Sequence, residues 1–143
     1  MENYKKILLP VDGSENSKLA KKHAINIAKL MNAEILLAYV TGPIPGIVTG
    51  KAKEEAIKAQ KEEADLLLSP YREYLQANGV TFTEAVAHGY KPGDEICRIA
   101  EREGCDLIIM GSRGLNDFKG MVLGSVTHRV LSHCHHIPVF VVR

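Results

Sequence analysis

KILLPVDGSENSKLAKKHAINIAKLMNAEILLAYV, residues 6–40, reads as strand, helix, strand. The runs Lys6 to Val11 and Glu34 to Val40 are nearly continuous in apolar character, as strands covered on both faces require. Between them Leu19, Ala20, His23, Ala24, Ile27, Leu30 and Met31 recur at helical spacing, and Ser14 is placed to cap that helix. Two buried strands joined through a helix make a right-handed parallel crossover.

The same rhythm continues outward. VTFTEAVA (Val80 to Ala87) alternates and suits a strand nearer an edge, while DLIIMG (Asp106 to Gly111) and PVFVV (Pro138 to Val142) are again nearly all apolar. A second helix is expected over about Lys51 to Leu75. Its Lys51–Glu55, Glu54–Lys58 and Lys58–Glu62 pairs mark a solvated face. Pro70 should kink or break it near Leu68–Ser69, and Asn78-Gly79 ends it. A third helix follows Pro92-Gly93 and closes at Gly104, and a fourth spans about Ser125 to Cys134. The fold class is therefore α/β: five strands alternating with four helices, an open parallel sheet covered on both faces. Thr41 to Gly50, rich in Pro and Gly, is a surface loop at a strand end, placed to fold over a ligand.

A chain of 143 residues is expected to form one domain, residues 1–143. Its 18 basic against 17 acidic residues exert no electrostatic pull on nucleic acid or anionic lipid, so neither is an expected partner. Cys97, Cys105 and Cys134 are odd in number and unclustered, which suits free thiols in a reducing compartment. The apolar stretch near the N-terminus is too short for a secretory signal, and no window reaches the roughly 18 apolar residues of a membrane span. A soluble, cytoplasmic protein is expected.

In an open parallel sheet, ligands bind beyond the carboxyl ends of the strands where the winding reverses. The first strand is followed by Pro10-Val11-Asp12-Gly13-Ser14, and the fourth by Met110-Gly111-Ser112-Arg113-Gly114, with Gly124-Ser125 opening the last helix. Glycines at 111 and 114 would let backbone N–H groups reach phosphate oxygens and adopt positive φ. Gly124-Ser125 lies where a helix leaves N–H groups unpaired and its dipole favours an anion. The same residues also suit a glycine-rich turn with a serine cap and no ligand. Neither the Walker-type G-x-x-x-x-G-K-[ST] nor a G-x-G-x-x-G after the first strand is present.

Gly111-x2-Gly114-x9-Gly124-Ser125 matches the G-x2-G-x9-G-[ST] signature of ATP-binding universal stress proteins, and the whole chain resembles that family. LLPVDGS (Leu8 to Ser14), DLIIMGSRG (Asp106 to Gly114), LGSVTHRV (Leu123 to Val130) and IPVFVVR (Ile137 to Arg143) agree with it. The resemblance implies a Rossmann-like sheet of order 3-2-1-4-5, similar to the adenine nucleotide alpha hydrolase fold. It implies ATP, with Mg²⁺ or Mn²⁺ where a metal takes part. Asp12 would then meet the ribose or a phosphate-bound metal, and Pro10, Val11 and Met110 would wall the adenosine. Val40 would offer backbone groups to the adenine. Gly111, Ser112, Arg113 and Gly114 would cradle sugar and phosphates from one side, and Gly124, Ser125 and Val126 from the other. Arg113 equally suits a solvated loop.

Competing chemistry is weaker. His133-Cys134-His135-His136 offers adjacent side chains that diverge, whereas a zinc site needs converging ligands; histidines also suit a helix C-terminus. Asp12 is a single carboxylate and Ser125 lacks a histidine partner other than His128 on its own helix, so no catalytic residue is assigned. The expectation is a nucleotide-responsive regulatory module in stress response, not primarily a catalyst. The alternatives are a slow metal-dependent ATP hydrolase, and a nucleotide-free stress protein acting through protein contacts. Pro138 to Val142 is expected to form an apolar edge, which a second copy would cover about a two-fold axis. The resemblance likewise implies a homodimer. A downstream protein partner of unknown identity would read the nucleotide-bound surface.

Overall fold

A computed structural model describes residues 3–143; Met1 and Glu2, which open the N-terminal segment, lie outside the described residues. The elements are β1 (Lys6–Pro10), α1 (Glu15–Met31), β2 (Glu34–Thr41), α2 (Gly50–Ala77), β3 (Phe82–His88), α3 (Pro92–Arg102), β4 (Leu107–Gly111), α4 (Ser125–His133) and β5 (Val139–Val142). All pairings are parallel and the strand order is β3-β2-β1-β4-β5, as expected. β3 and β5 are the edges.

The two-residue period of the strands divides the core into two layers. Ile7, Leu9, Ile35, Leu37 and Ile109 pack beneath α1 and α2, against Ala24, Ile25, Leu68, Tyr71 and Leu75. Leu8, Leu36, Ile108 and Met110 pack on the other face against Ile96, Ile99 and Val130 of α3 and α4.

Three expectations are corrected. The buried stripe of α1 comprises Asn16, Ser17, Ala20, Ala24, Ile25 and Ala28, while Leu19 and Leu30 are exposed. The helix sits close on the sheet, so small residues mark its inner face better than large ones do. Pro70 does not break α2, which runs unbroken for 28 residues. Pro70 and Leu66 both lie on the exposed face, so the Leu66 carbonyl that loses its donor is open to water.

Finally, Cys97 and Cys134 are joined by a disulfide with their Cα atoms 5.5 Å apart, and Cys105 alone is free. Packing of α3 on α4 brings together two cysteines separated by 37 residues. Spacing along the chain does not reveal such a pair, and the cysteines no longer argue for a reducing compartment. Among the described residues no helix is long and apolar enough to cross a membrane.

Candidate functional site

β1 and β4 are neighbours at the centre of the sheet, and the helices that follow them lie on opposite faces. Their carboxyl ends therefore flank the point where the winding reverses, the usual ligand position in such sheets.

The turn after β1 is built around Asp12. Its Oδ1 accepts the Ser14 N–H at 2.9 Å, and Ser14 Oγ in turn accepts the Ser17 N–H, capping α1 as expected. Gly13 adopts φ +83°, the left-handed conformation that glycine takes without strain. Its N–H donates to Tyr71 Oη, which also shares a 2.5 Å hydrogen bond with Ser17 Oγ. Burial pushes the Tyr71 hydroxyl above its usual pKa, so it remains a neutral brace between α2 and this turn.

The far oxygen of Asp12 reaches across the crevice. Oδ2 accepts the Leu115 N–H at 3.3 Å, tying the β1 turn to the β4 loop. Gly114 accommodates this approach, because a Cβ there would lie 2.6 Å from Asp12 Oδ2. Gly124 N–H donates to the Ser112 carbonyl at 2.6 Å, so the turn after β4 and the start of α4 are held together. The first backbone bond of α4 is His128 N–H to Gly124 O, and Gly124 contributes no side-chain cap.

The glycines are required for close approach rather than for positive φ, which Gly111, Gly114 and Gly124 all lack. A Cβ at Gly111 would meet Asn16 Cβ at 2.7 Å and the Asn16 backbone carbon at 2.8 Å, so this glycine lets α1 seat on β4. Overpacking there should lower stability: Gly111→Ala is expected to cost about 1–3 kcal/mol, read as a lower urea midpoint at unchanged slope.

The proposed contact residues fall into two groups. Pro10, Met110 and Ser112 are buried beneath the rim. Ser112 is fully committed internally: its N–H donates to the Val142 carbonyl, its Oγ accepts Asn16 Nδ2–H, and its carbonyl accepts Gly124 N–H. It is a staple between β5, α1 and α4. Asp12, Arg113, Gly114, Ser125 and Val126 stand at or near the surface. The Arg113 guanidinium donates to the Lys119 carbonyl, closing its own loop. Val40 lies in β2 beyond the last residue paired with β1, which is Ala38. Ala38 O accepts Val11 N–H, so strand alternation directs the Val40 N–H and C=O to the same side, past the end of β1.

Sequence reasoning missed three residues. Thr127 Oγ1 donates to the Gly111 carbonyl, and buried Asn16 holds Ser112; nothing in their spacing signals either role. The third is Asp117, whose Oδ2 accepts the Gly114 N–H at 2.6 Å. Its spacing gives no signal either, because turn chemistry favours Asp three residues before a glycine rather than after it. A Cβ built on Gly124 would lie 2.8 Å from Asp117 Cγ and 3.1 Å from Arg113 Cα. The two turns therefore converge on one point, and a carboxylate already stands there.

The histidine segment stays local. His133 Nδ1 lies 3.0 Å from the Arg129 carbonyl, one turn earlier, and Cys134 belongs to the disulfide. Among the described residues no three His, Cys, Asp or Glu side chains are grouped to hold a metal.

A five-stranded 3-2-1-4-5 sheet with small-residue loops meeting at its β1/β4 rim defines a doubly wound, Rossmann-like α/β protein. Residues 3–143 match the universal stress protein family, and the chain belongs to it. The chain is 38% identical over 142 residues to the universal stress protein MJ0531 of Methanocaldococcus jannaschii, covering 98% of this chain and 82% of that one. MJ0577 of the same organism, solved as a structure, superposes with a TM-score of 0.85 at 35% identity, over 97% of this chain and 95% of that one. A universal stress protein solved in complex with cAMP superposes with a TM-score of 0.69 at 25% identity, covering 99% and 98% of the two chains.

Proposed function

We propose that this universal stress protein is of the ATP-binding kind and acts as a nucleotide-responsive regulatory module. The observation that carries the reading is the meeting of Gly114 and Gly124 at the β1/β4 rim, where the Gly114 N–H donates to one anionic oxygen that also stands against Gly124 at the start of α4. An oxygen of that charge, received in a cradle that a Cβ would fill, fits a phosphate group. The cAMP complex of a relative supports an adenine nucleotide as the ligand class.

In this reading Val40 presents its free backbone edge to the adenine, Val11 lies under the nucleoside, and Asp12 meets the ribose or a phosphate-bound Mg²⁺ or Mn²⁺. Gly114, Arg113, Gly124, Ser125 and Val126 receive the phosphates, while Pro10, Met110, Gly111 and Ser112 hold these groups from beneath. Among the described residues the site supplies binding groups, and its two carboxylates, Asp12 and Asp117, are each taken up by backbone N–H groups. The consequence of binding is thus a shift of conformational population that a protein partner reads. β5 is an edge strand whose Phe140 is 41% exposed, which supports a homodimer formed along Val139–Val142.

The test is direct. Protein purified without added nucleotide and then denatured should release adenine nucleotide, or the empty protein should bind ATP in calorimetry at close to one per chain. Protein that neither releases adenine nucleotide nor binds ATP overturns the reading.

A further inference from the structure

The carboxylate at the meeting point of the two turns belongs to the chain itself. Gly114 N–H donates to Asp117 Oδ2, and Asp117 N–H returns a 3.3 Å hydrogen bond to the Gly114 carbonyl. The Arg113 guanidinium, on the Lys119 carbonyl, closes the same loop from outside. Asp117 is thus bound to Gly114 through both its side chain and its backbone, with its carboxyl group against Gly124 at the mouth of α4. Asp12, the nearest other carboxylate, also lies against Gly114, so two negative groups share one small rim.

We propose that Asp117 is an internal substitute for a phosphate group, occupying the phosphate cradle when no nucleotide is bound and setting how strongly that cradle discriminates among ligands. This rests on the nucleotide reading above and specifies how that site is regulated. A phosphate can take the Gly114 N–H only after the Asp117 carboxylate leaves it, and an undisplaced carboxylate would repel the incoming charge. The cost falls on the phosphate end alone. Adenosine, held at Val40 and Asp12, does not meet it. Affinity for phosphorylated ligands is therefore reduced by the fraction of protein whose cradle is open.

Displacing Asp117 also moves the segment that carries it. Leu115, Phe118 and Val122 are exposed apolar side chains in that segment, with exposures of 66%, 80% and 66%. Their rearrangement would couple phosphate occupancy to a sticky surface beside the site. Sequence reading placed the responsive surface at Thr41–Gly50; the segment carrying Asp117 adds a second one, tied to the cradle by the Gly114 N–H to Asp117 hydrogen bond.

The test compares wild-type protein with Asp117→Ala and the isosteric Asp117→Asn. Removing a charged hydrogen-bond acceptor should raise affinity for ATP and for inorganic pyrophosphate about tenfold in Asp117→Ala, less in Asp117→Asn, and leave adenosine binding unchanged. Independently of any ligand, the Gly114 amide should exchange with solvent several times faster in Asp117→Ala, read by ¹⁵N-resolved hydrogen exchange. Equal or weaker ATP affinity in Asp117→Ala, or a Gly114 amide that does not respond, overturns the role of Asp117 while leaving the nucleotide site standing. If the Gly114 amide and pyrophosphate behave as expected but no variant binds ATP or adenosine, Asp117 keeps its role and the nucleotide reading falls.

Discussion

Gly124→Val is expected to reduce ATP affinity by at least about a hundredfold, equivalent to ~2.7 kcal/mol, while the fold persists. Any side chain at this position projects to where Asp117 Cγ now stands, 2.8 Å from the built Cβ. Asp117 can rotate away from a methyl group, but a phosphate held at the same point cannot. The backbone there is extended, with φ −75° and ψ 166°, which valine adopts without strain, and Gly124 N–H keeps its bond to Ser112. The remaining crowding is with Arg113 Cα at 3.1 Å, so the folding cost should stay within about 1–2 kcal/mol. Ser125→Ala removes at most one hydroxyl contact and should weaken ATP several-fold only, on the order of 1 kcal/mol. Calorimetry reads the affinities, with circular dichroism and urea unfolding confirming the fold. Tight ATP binding by folded Gly124→Val would place the nucleotide elsewhere.

How far such a site can be read from residues alone depends on which interactions are local. The strands were legible because burial on both faces writes continuous apolar runs, and the parallel sheet followed from their alternation with helices. Ser14 was legible as a cap because capping spans three residues. The inner face of α1 was not, because the helix seats close on the sheet, with Asn16 against Gly111 and alanines inside, and leaves Leu19 and Leu30 outside. Pro70 misled because the breaking rule assumes that the orphaned carbonyl is costly, and here it faces water. The three signature glycines stand at the β1/β4 rim, but none has the positive φ first given as a reason for Gly111 and Gly114. They make room for Asn16, Asp12 and Asp117, and clearances of that kind exist only once distant segments are in contact. The same holds for Cys97 and Cys134.

That disulfide leads to the second large effect. Reducing Cys97–Cys134 should destabilise the protein by about 4 kcal/mol, because an uncrosslinked unfolded chain regains the freedom of a closed loop. In calorimetric scans this corresponds to a fall in Tm of roughly 10 °C, reproduced without reductant by the double substitution Cys97→Ser, Cys134→Ser. Thiol counting checks the premise: unfolded, unreduced protein should expose one thiol, Cys105, and three would refute it. In the folded protein Cys105 should be inert, since burial pushes its pKa up to about 11. The nucleotide site should be far less affected than stability. The disulfide anchors the C-terminal end of α4, whereas Ser125 opens the other end. The middle of α4 is held separately: Arg129 Nε donates to Asp94 Oδ1 at 2.7 Å, and the Arg129 side chain lies where a Cβ on Gly93 would stand. With those contacts intact, reduced protein that remains folded should bind ATP within about twofold of the oxidised form, a difference of under half a kcal/mol. A larger loss would mean that the position of α4, and with it the Gly124 cradle, is set by the covalent link rather than by packing.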